Sequence, residues 1–204
     1  MSSPHRFDPS AWKGMATANL SDVIGRVGAM DGGIRRLCGT HVAGPAHTVM
    51  TGTGDSSSIH RALADATPGS VLVVDAQGGL ARAVWGAVMT TAAIEKGVVG
   101  AVIAGAVRDI DEITSMGFAL FARATCPGGP HKGFRGAHGV PVQCGGVVVN
   151  SGDVVVGDAD GVTVVPAGRT EAALAAVESV VAREQQWLSR IRAGETSAEI
   201  LGLA

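Results

Sequence analysis

The fold is decided by residues 71–109, which read VLVVDAQGGLARAVWGAVMTTAAIEKGVVGAVIAGAVRD. Residues 71–74 form an uninterrupted, valine-rich apolar run, which predicts a strand buried on both faces. Residues 86–96 predict a helix, and residues 98–104 predict a second buried strand. A strand, a helix and a parallel strand form a right-handed crossover. The start of that helix and the Arg-Asp pair that ends the stretch should therefore lie at the same edge of the sheet.

Outside this stretch the apolar pattern changes between helical and strand spacing, which predicts a mixed α/β protein. At 204 residues the chain has the length of one domain. We therefore expect a single domain over residues 1–204, with a flexible arm at 1–10 and a C-terminal helical segment at 170–201. Further helices are predicted at 19–27, 54–64 and 109–116, and strands at 39–51 (interrupted at Gly44-Pro45), 118–122, 140–142, 147–149, 154–157 and 162–165.

Charge and hydropathy exclude several classes of protein. The net charge of −2 and the shortness of the Arg35-Arg36 pair argue against a nucleic-acid partner. The most apolar segment, residues 97–107, is about half the length that a membrane-spanning helix needs, so we expect no membrane partner. No basic region followed by an apolar run opens the chain, so we predict no signal peptide and a cytoplasmic location.

The cysteines point to a reducing compartment. Cys38, Cys126 and Cys144 are an odd number without Cys-x-x-Cys spacing, which favours free thiols. A zinc site built from Cys126, His131, His138 and Cys144 is an alternative, although this spacing matches no familiar zinc motif.

Two other polar groups are weaker candidates. Ser56-Ser57-Ser58 with His60 has the composition of a nucleophile and a base, but no G-x-S-x-G elbow is present, and helix capping explains the serines better. The His131-Lys132 pair lies in a Gly-, Pro- and His-rich loop at residues 126–138. From there it could contact an anionic part of a substrate.

The strongest candidate site combines the helix start at Gly86 with the Arg108-Asp109 pair. Free amides at a helix start suit an anion, a guanidinium suits developing negative charge, and a carboxylate suits a hard divalent cation. Taken alone, the Arg-Asp pair is more typical of a solvated surface ion pair. The neighbouring Asp111 and Glu112, together with the helix start, favour a site that stabilises the enolate of a small 2-oxo acid.

Residues 68–113 resemble the core of the RraA-like superfamily, in which a glycine-rich turn, a Trp-Gly helix start and an Arg-Asp pair follow in that order. Residues 145–162 resemble its C-terminal strands. The superfamily includes metal-dependent aldolases of 4-hydroxy-4-methyl-2-oxoglutarate and 4-carboxy-4-hydroxy-2-oxoadipate, and a non-enzymatic branch that inhibits ribonuclease E. The resemblance implies an α/β/β/α sandwich with mixed sheets. It also implies trimers or stacked pairs of trimers, with active sites at subunit boundaries.

The resemblance further implies roles for individual residues. Arg108 would be catalytic and contact the keto oxygen of the substrate, and Asp109 would be catalytic and ligate Mg²⁺ or Mn²⁺. The substrate-binding residues would be Gly86, Ala87, Val88, Met89 and Arg108, the first four through backbone amides that bind the pyruvyl carboxylate.

One position departs from the aldolase pattern. Family aldolases carry an acidic residue twenty-one positions before the arginine, and Ala87 stands there in this chain. Asp75, Asp111 and Glu112 are the neighbouring acids that could replace it. The ribonuclease-inhibiting branch tends to lack the metal-binding aspartate, which this chain keeps as Asp109. The sequence therefore falls between the two patterns.

We predict a divalent-metal-dependent lyase that acts on a small 2-oxo acid through a pyruvate enolate, as a class II pyruvate aldolase or an oxaloacetate decarboxylase does. The alternative is a non-catalytic regulator that binds a protein partner such as a ribonuclease. In both cases we expect a homotrimer or a hexamer (a dimer of trimers), with the 126–138 loop near an interface.

Overall fold

The computed structural model describes residues 7–203 of the chain. Within this range the helices are α1 (Pro9–Trp12), α2 (Thr17–Val23), α3 (Ser57–Asp65), α4 (Ala87–Glu95), α5 (Ile110–Ser115), α6 (Thr170–Arg192) and α7 (Ser197–Ile200). The strands are β1 (Arg35–Cys38), β2 (Val42–Met50), β3 (Val71–Asp75), β4 (Ala83–Trp85), β5 (Gly100–Val107), β6 (Ala119–Thr125), β7 (Ala137–His138), β8 (Val142–Cys144), β9 (Val147–Val149), β10 (Val154–Gly157) and β11 (Val162–Val165).

The β3-α4-β5 crossover is present as the sequence predicted. Strands β3 and β5 are parallel neighbours, with Val73 opposite Val102. Leu72 and Val74 belong to the apolar cluster under the helices, whereas Val71 and Val73 belong to a second cluster on the other face. This alternation explains why the whole run is apolar, because both faces of the strand are covered.

Strand β5 lies later in the chain than the predicted 98–104. The amide of Val98 donates to the carbonyl of Ala93, so this residue completes the end of α4 instead of starting the strand. The strand then continues through Gly105, where an added Cβ would lie 2.9 Å from the Cβ of Ala76. The extension places Arg108 directly after the last strand residue.

The main sheet has the order β1-β6-β5-β3-β2-β10-β11, with β4 beside β5 and β7 beside β2, and β8 and β9 form a separate hairpin. Helices α3, α4 and α5 contribute to an apolar cluster on one face, around Ile59 and Trp85. A valine-rich layer with Phe121 fills the space inside the curled sheet. Residues of α1, α2 and α6 cover the outer face of β10 and β11 around Val156. These layers confirm the predicted α/β/β/α fold class with mixed strands.

The predicted interruption of the first long strand at Gly44-Pro45 is wrong. Strand β2 is continuous, and it changes its neighbour there, pairing with β10 as far as Pro45 and with β3 from Ala46 onward. The missing N–H of proline leaves no gap in the pairing, because Ala46 donates to the carbonyl of Asp153 at 2.7 Å.

The chain is also more ordered near its start than predicted. Residues 1–6 of the expected arm lie outside the described residues. In the remainder of that arm, the carboxylate of Asp8 accepts the amide of Ser10 at the start of α1, and the ring of Phe7 stacks on Trp12 with 6.3 Å between ring centroids. Helix α2 ends before the expected residue 27, because Gly25 and Arg26 take φ angles of 84° and 63°. Within residues 7–203, no helix combines the length and apolarity needed to cross a membrane.

Candidate active site

The candidate site lies where β4 and β5 end side by side. Strand β4 is a three-residue element that the sequence pattern did not reveal, and its Trp85 pairs with Val107 of β5. The amide of Arg108 then donates to the carbonyl of Trp85 at 3.0 Å. This pairing brings the start of α4 against the start of α5, as the crossover argument predicted.

Asp109 connects the two helix starts through its side chain. Its backbone has φ 62° and ψ 38°, the left-handed region that few non-glycine residues occupy. In this conformation its Oδ2 atom accepts the amide of Ala87 at 3.0 Å and lies 3.5 Å from Nε of Arg108. The carboxylate therefore caps α4 from another element of the chain.

Gly86 makes room for this carboxylate. A Cβ at this position would lie 2.5 Å from Oδ2 of Asp109 and 3.2 Å from Cγ of Arg108. Its φ of −165° is extended backbone that any residue adopts, so the requirement for glycine is one of space. The Trp-Gly helix start in the sequence thus marks the close approach of the Arg108-Asp109 pair.

The amides expected to bind a substrate carboxylate are not equivalent. The amide of Ala87 is already engaged by Asp109. Val88 and Met89 occupy the first turn of α4, where backbone amides have no acceptor inside the helix. The predicted carboxylate contact therefore rests chiefly on these two amides.

These groups line one cleft of about 360 Å³. Its lining residues are Ser56, His60, Ala83, Val84, Trp85, Gly86, Val88, Met89, Arg108, Asp109, Gly129, Pro130 and Lys132. Every residue of the predicted site except the buried Ala87 is among them. The sequence did not link α3 to this cleft, and of the His131-Lys132 pair suggested as a substrate contact, Lys132 is a lining residue and His131 is not.

The three acids considered as replacements for the missing one do not line the cleft. Asp111 and Glu112 are exposed on the first turn of α5. Asp75 accepts the amide of Gln77, and its charge acts on Cys144 in the inner layer of the fold. Among the cleft residues that the structure describes, Asp109 is the only carboxylate.

Asp55 holds the loop that forms one wall of the cleft, a role that the sequence did not reveal. The side chain is 5% exposed, and its Oδ2 atom accepts the amides of Gly133 and Phe134 at 2.8 and 3.0 Å. Its Oδ1 atom accepts the amide of Ser57 and so caps α3. Burial alone raises the pKa of Asp55, but the bonds from Ser57, Phe134 and Gly133 outweigh it and lower the pKa below its usual range.

Ser56 departs from the role expected of it. It stands at the cap position of α3, but its side chain makes no capping bond. The Oγ atom is buried and has no partner among residues 7–203, and the residue lines the cleft. Burial lowers the pKa of the neighbouring His60, and the ammonium group of Lys132 lowers it further.

The alternative zinc site is wrong. Cys144 lies in the inner apolar layer, where burial and the charge of Asp75 raise its thiol pKa to about 12. The thiol of Cys126 donates to the carbonyl of Ala81 instead of approaching a histidine. In the described part of the chain, no group of three or more His, Cys, Asp or Glu side chains could hold a metal ion.

Comparison with known proteins decides the family. A family model described as RraA-like, Aldolase/RraA, matches residues 17–164. The chain belongs to the RraA-like family. A relative from Halalkalibacterium halodurans, named as a candidate 4-hydroxy-4-methyl-2-oxoglutarate aldolase, is 35% identical over 133 residues, which are 65% of this chain and 63% of the relative. The match to this relative therefore covers less than two thirds of its length.

Solved structures of RraA-like proteins share the fold. Streptomyces coelicolor RraAS2, described as an unusual member of the RNase ES inhibitor RraA protein family, has a TM-score of 0.78 and 29% identity. That match covers 92% of this chain and 100% of RraAS2. The RNA-processing inhibitor RraA from Thermus thermophilus has a TM-score of 0.69 and 31% identity, over 74% of this chain and 93% of that protein. The relatives of this RraA-like chain thus carry names of both enzymes and regulators.

Proposed function

We propose that this RraA-like chain is a divalent-metal-dependent carbon–carbon lyase that acts on a 2-oxo acid containing a pyruvyl unit. The observation that carries the proposal is the meeting of Arg108, Asp109 and the first-turn amides of α4 in one cleft. An anion socket, a guanidinium and a carboxylate are the groups that stabilise an enolate.

The residues of the chain have separate tasks in this proposal. The amides of Val88 and Met89 bind the C1 carboxylate of the substrate at the positive end of α4. The side chain of Arg108 is 42% exposed, so its guanidinium can donate to the C2 oxygen while Nε faces Asp109. This contact strengthens as the C3–C4 bond breaks, because negative charge then collects on that oxygen.

Asp109 fits a magnesium or manganese ion as the one protein ligand of an open site. Its Oδ2 atom is held by Ala87, and its side chain is partly exposed to the cleft. Magnesium typically binds through one or two carboxylates and keeps water or substrate oxygens in its other positions. Such an ion would supply Lewis-acid stabilisation of the enolate charge.

Pyruvate release from oxaloacetate, measured with Mg²⁺ and then with an excess of chelator, tests the proposal. We expect turnover with the metal and loss of turnover with the chelator.

Arg108→Ala should lower kcat/KM, and the corresponding loss of transition-state stabilisation should be about 2–3 kcal/mol, because a charge-assisted hydrogen bond is lost. Asp109→Asn keeps a side chain that tolerates the left-handed backbone, yet should remove the metal dependence together with the activity. Undiminished turnover in chelator would rule out the metal mechanism.

The second candidate function is regulation through a protein partner. The likeness to RraAS2 and to the Thermus RraA favours it, since both are described as inhibitors of RNA processing or of a ribonuclease. A regulator should form a stable complex with an RNase E-type ribonuclease and slow its cleavage of RNA. We favour the enzyme, because Asp109 is retained and faces the cleft. Inhibition that survives Asp109→Asn, without any metal-dependent turnover in the parent protein, would reverse this preference.

A further inference from the structure

The indole N–H of Trp85 donates to the hydroxyl of Thr90 in the interior of the protein. Nε1 of Trp85 lies 2.9 Å from Oγ1 of Thr90. The two residues are 2% and 0% exposed, so the bond is shielded from bulk water. The indole ring also stacks on Phe118, with 6.1 Å between ring centroids. A ring that is fixed in this way can hold the Thr90 hydroxyl in one orientation.

The chemistry of the two groups sets the direction of the next bond. An indole N–H can only donate, so Oγ1 of Thr90 accepts from it, and the single hydroxyl proton is left for another acceptor. The carbonyl oxygen of Gly86 lies 3.2 Å from Oγ1 of Thr90. The same oxygen accepts the amide of Thr90 at 3.0 Å. Thr90 therefore holds the Gly86 carbonyl with two bonds.

The Gly86 carbonyl and the Ala87 amide belong to one peptide group, and the amide end of that group contacts Asp109. The nitrogen of Ala87 lies 3.0 Å from Oδ2 of Asp109. Because a peptide group is planar, fixing its carbonyl end also sets the direction of its N–H. From the indole to the carboxylate, each group donates to the next, and the bonds of such a chain strengthen one another by polarisation.

The neighbouring threonine shows what is particular to Thr90. A helical threonine commonly donates to the carbonyl four positions earlier, and Thr91 does so to the carbonyl of Ala87 at 3.0 Å. Thr91 is exposed, and the carbonyl that it contacts belongs to the next peptide group along the helix. Thr90 differs in being buried, in accepting the Trp85 indole and in contacting the peptide group that holds Asp109.

We propose that Thr90, held by the indole of Trp85, is a positioning residue that fixes the carboxylate of Asp109 through the peptide group between Gly86 and Ala87. The inference rests on the proposed function, in which Asp109 ligates the divalent metal. It also gives the tryptophan of the Trp-Gly helix start a task of its own, because the tryptophan orients the hydroxyl on which the chain of bonds depends.

Metal binding without substrate tests the role of Thr90 independently of turnover. The Kd of Mg²⁺ is measured by calorimetry for the parent protein and for three variants. Thr90→Val should weaken Mg²⁺ binding about tenfold, the lower end of what the loss of an outer partner of a metal ligand costs. Thr90→Ser keeps the hydroxyl and should restore the affinity of the parent. Thr91→Val removes the same kind of helix bond one position later, and it should leave the Kd unchanged.

Trp85→Phe separates positioning from stability. Thr90→Val alone leaves a buried indole N–H without its acceptor, so its Tm should fall. The double variant Trp85→Phe/Thr90→Val removes donor and acceptor together and should regain part of that Tm. Its affinity for Mg²⁺ should stay low, because the hydroxyl bond to the Gly86 carbonyl is still missing. A Kd that recovers together with the Tm would overturn the inference. If Thr90→Val does not fold, the double variant and Thr90→Ser still decide it.

A metal-free measurement distinguishes failure of this inference from failure of the proposed function. Protein labelled with ¹⁵N-tryptophan gives indole N–H signals from Trp12, Trp85 and Trp187 in NMR spectra, and the Trp85 signal is the one that Trp85→Phe removes. Asp109→Asn weakens the last acceptor of the chain. It should therefore move the Trp85 signal when Thr90 is present and leave it in place when Thr90→Val is combined with it.

The two measurements together assign any failure. If the parent protein binds no Mg²⁺ but Asp109→Asn moves the Trp85 signal through Thr90, the positioning role stands and the metal mechanism fails. If the parent protein binds Mg²⁺, Thr90→Val leaves the Kd unchanged and Asp109→Asn does not move the signal, the metal mechanism stands and the positioning role is wrong.

Discussion

At the scale of residues, Asp109 serves the fold and the candidate site at once. Its carboxylate caps α4 through Ala87 and faces the cleft beside Arg108. The position of the Arg-Asp pair after a buried strand could be predicted, because strand ends carry ligand sites in α/β folds. The left-handed backbone of Asp109 and its bond to Ala87 could not be predicted. Both depend on the close packing of two elements that lie apart in the sequence.

Position 87 gives the sharpest prediction at this scale. Retro-aldol cleavage needs a base for the C4 hydroxyl proton, whereas decarboxylation of oxaloacetate reaches the enolate without it. With alanine there and no second acid among the described cleft residues, the parent protein should decarboxylate oxaloacetate and cleave 4-hydroxy-4-methyl-2-oxoglutarate poorly. Ala87→Asp should raise the aldolase rate relative to the decarboxylase rate by roughly tenfold or more, since a placed base contributes about 10²–10⁴.

Initial rates of pyruvate release from the two substrates measure this ratio. Ala87→Asn is the control, because it has nearly the size of aspartate but cannot act as a base. If the parent protein is already a fast aldolase and Ala87→Asp slows it, another residue supplies the base.

At the scale of elements, the long runs were predictable and the short ones were not. The βαβ unit, α3 and the C-terminal helix follow from sustained periodicity. Strand β4 was not predicted, because three residues are too few to show the alternating pattern of a strand. The strand is defined by its pairing with β5. The loop after residue 126 was recognised as a loop. Its attachment to Asp55 could not be predicted, since Gly133 and Phe134, which donate to this carboxylate, are 78 and 79 positions away in the sequence.

The contact between the starts of α4 and α5 predicts a selective effect of Gly86→Ala. The new Cβ would meet Oδ2 of Asp109 at 2.5 Å and displace the carboxylate, while the extended backbone remains allowed. We expect kcat/KM for pyruvate release to fall by roughly tenfold or more, which is at least about 1.4 kcal/mol. Gly32→Ala, where an added Cβ meets nothing within 4 Å, should leave kcat/KM unchanged. Equal effects of the two substitutions would contradict this account of Gly86.

The attachment of the loop to α3 predicts a dependence of stability on pH. The folded-state pKa of Asp55 lies below the ordinary value of 3.8, so its bonds stabilise the protein above that pH. This stability is lost as the pH falls through the lowered pKa. At pH 7, Asp55→Asn should cost about 1–3 kcal/mol of unfolding free energy, because buried amides lose a charged acceptor.

Thermal melts of the parent and Asp55→Asn from pH 7 down to pH 3 check this. The difference in Tm between them should narrow below about pH 4. Asp160→Asn, at an exposed turn, serves as the control. A difference that stays constant over the whole range would show that Asp55 acts through its shape and not its charge.

At the scale of the whole molecule, several apolar side chains face solvent. Val88 at the cleft is 77% exposed, and Val148 on the β8–β9 hairpin is 65% exposed. Leu188 and Ile191 continue the apolar spacing of α6 beyond its last buried residue, Val180. The sequence predicted a C-terminal helical segment over these positions, and within the described residues only the first half of α6 is buried.

We therefore predict an assembly of three or six chains, with Val88 and the 126–138 loop near subunit boundaries. Light scattering after size exclusion should give about three or six times the chain mass of 20.4 kDa. Val88→Glu should shift the protein toward smaller species, because a charge would be buried without a partner. Val27→Glu, at another exposed valine, tests whether any added charge has this effect. A parent protein that elutes with the mass of one chain would contradict the predicted assembly.

The change of partner along β2 also bears on how the chain emerges during synthesis. The second half of β2 pairs with β3, so the parallel strands as far as β6 can form once residue 125 has been made. The first half pairs with β10, more than a hundred residues later. Until residues 142–165 follow, the valine-rich inner face of the early sheet stays uncovered. That interval is when the nascent protein is most open to aggregation and to chaperone binding.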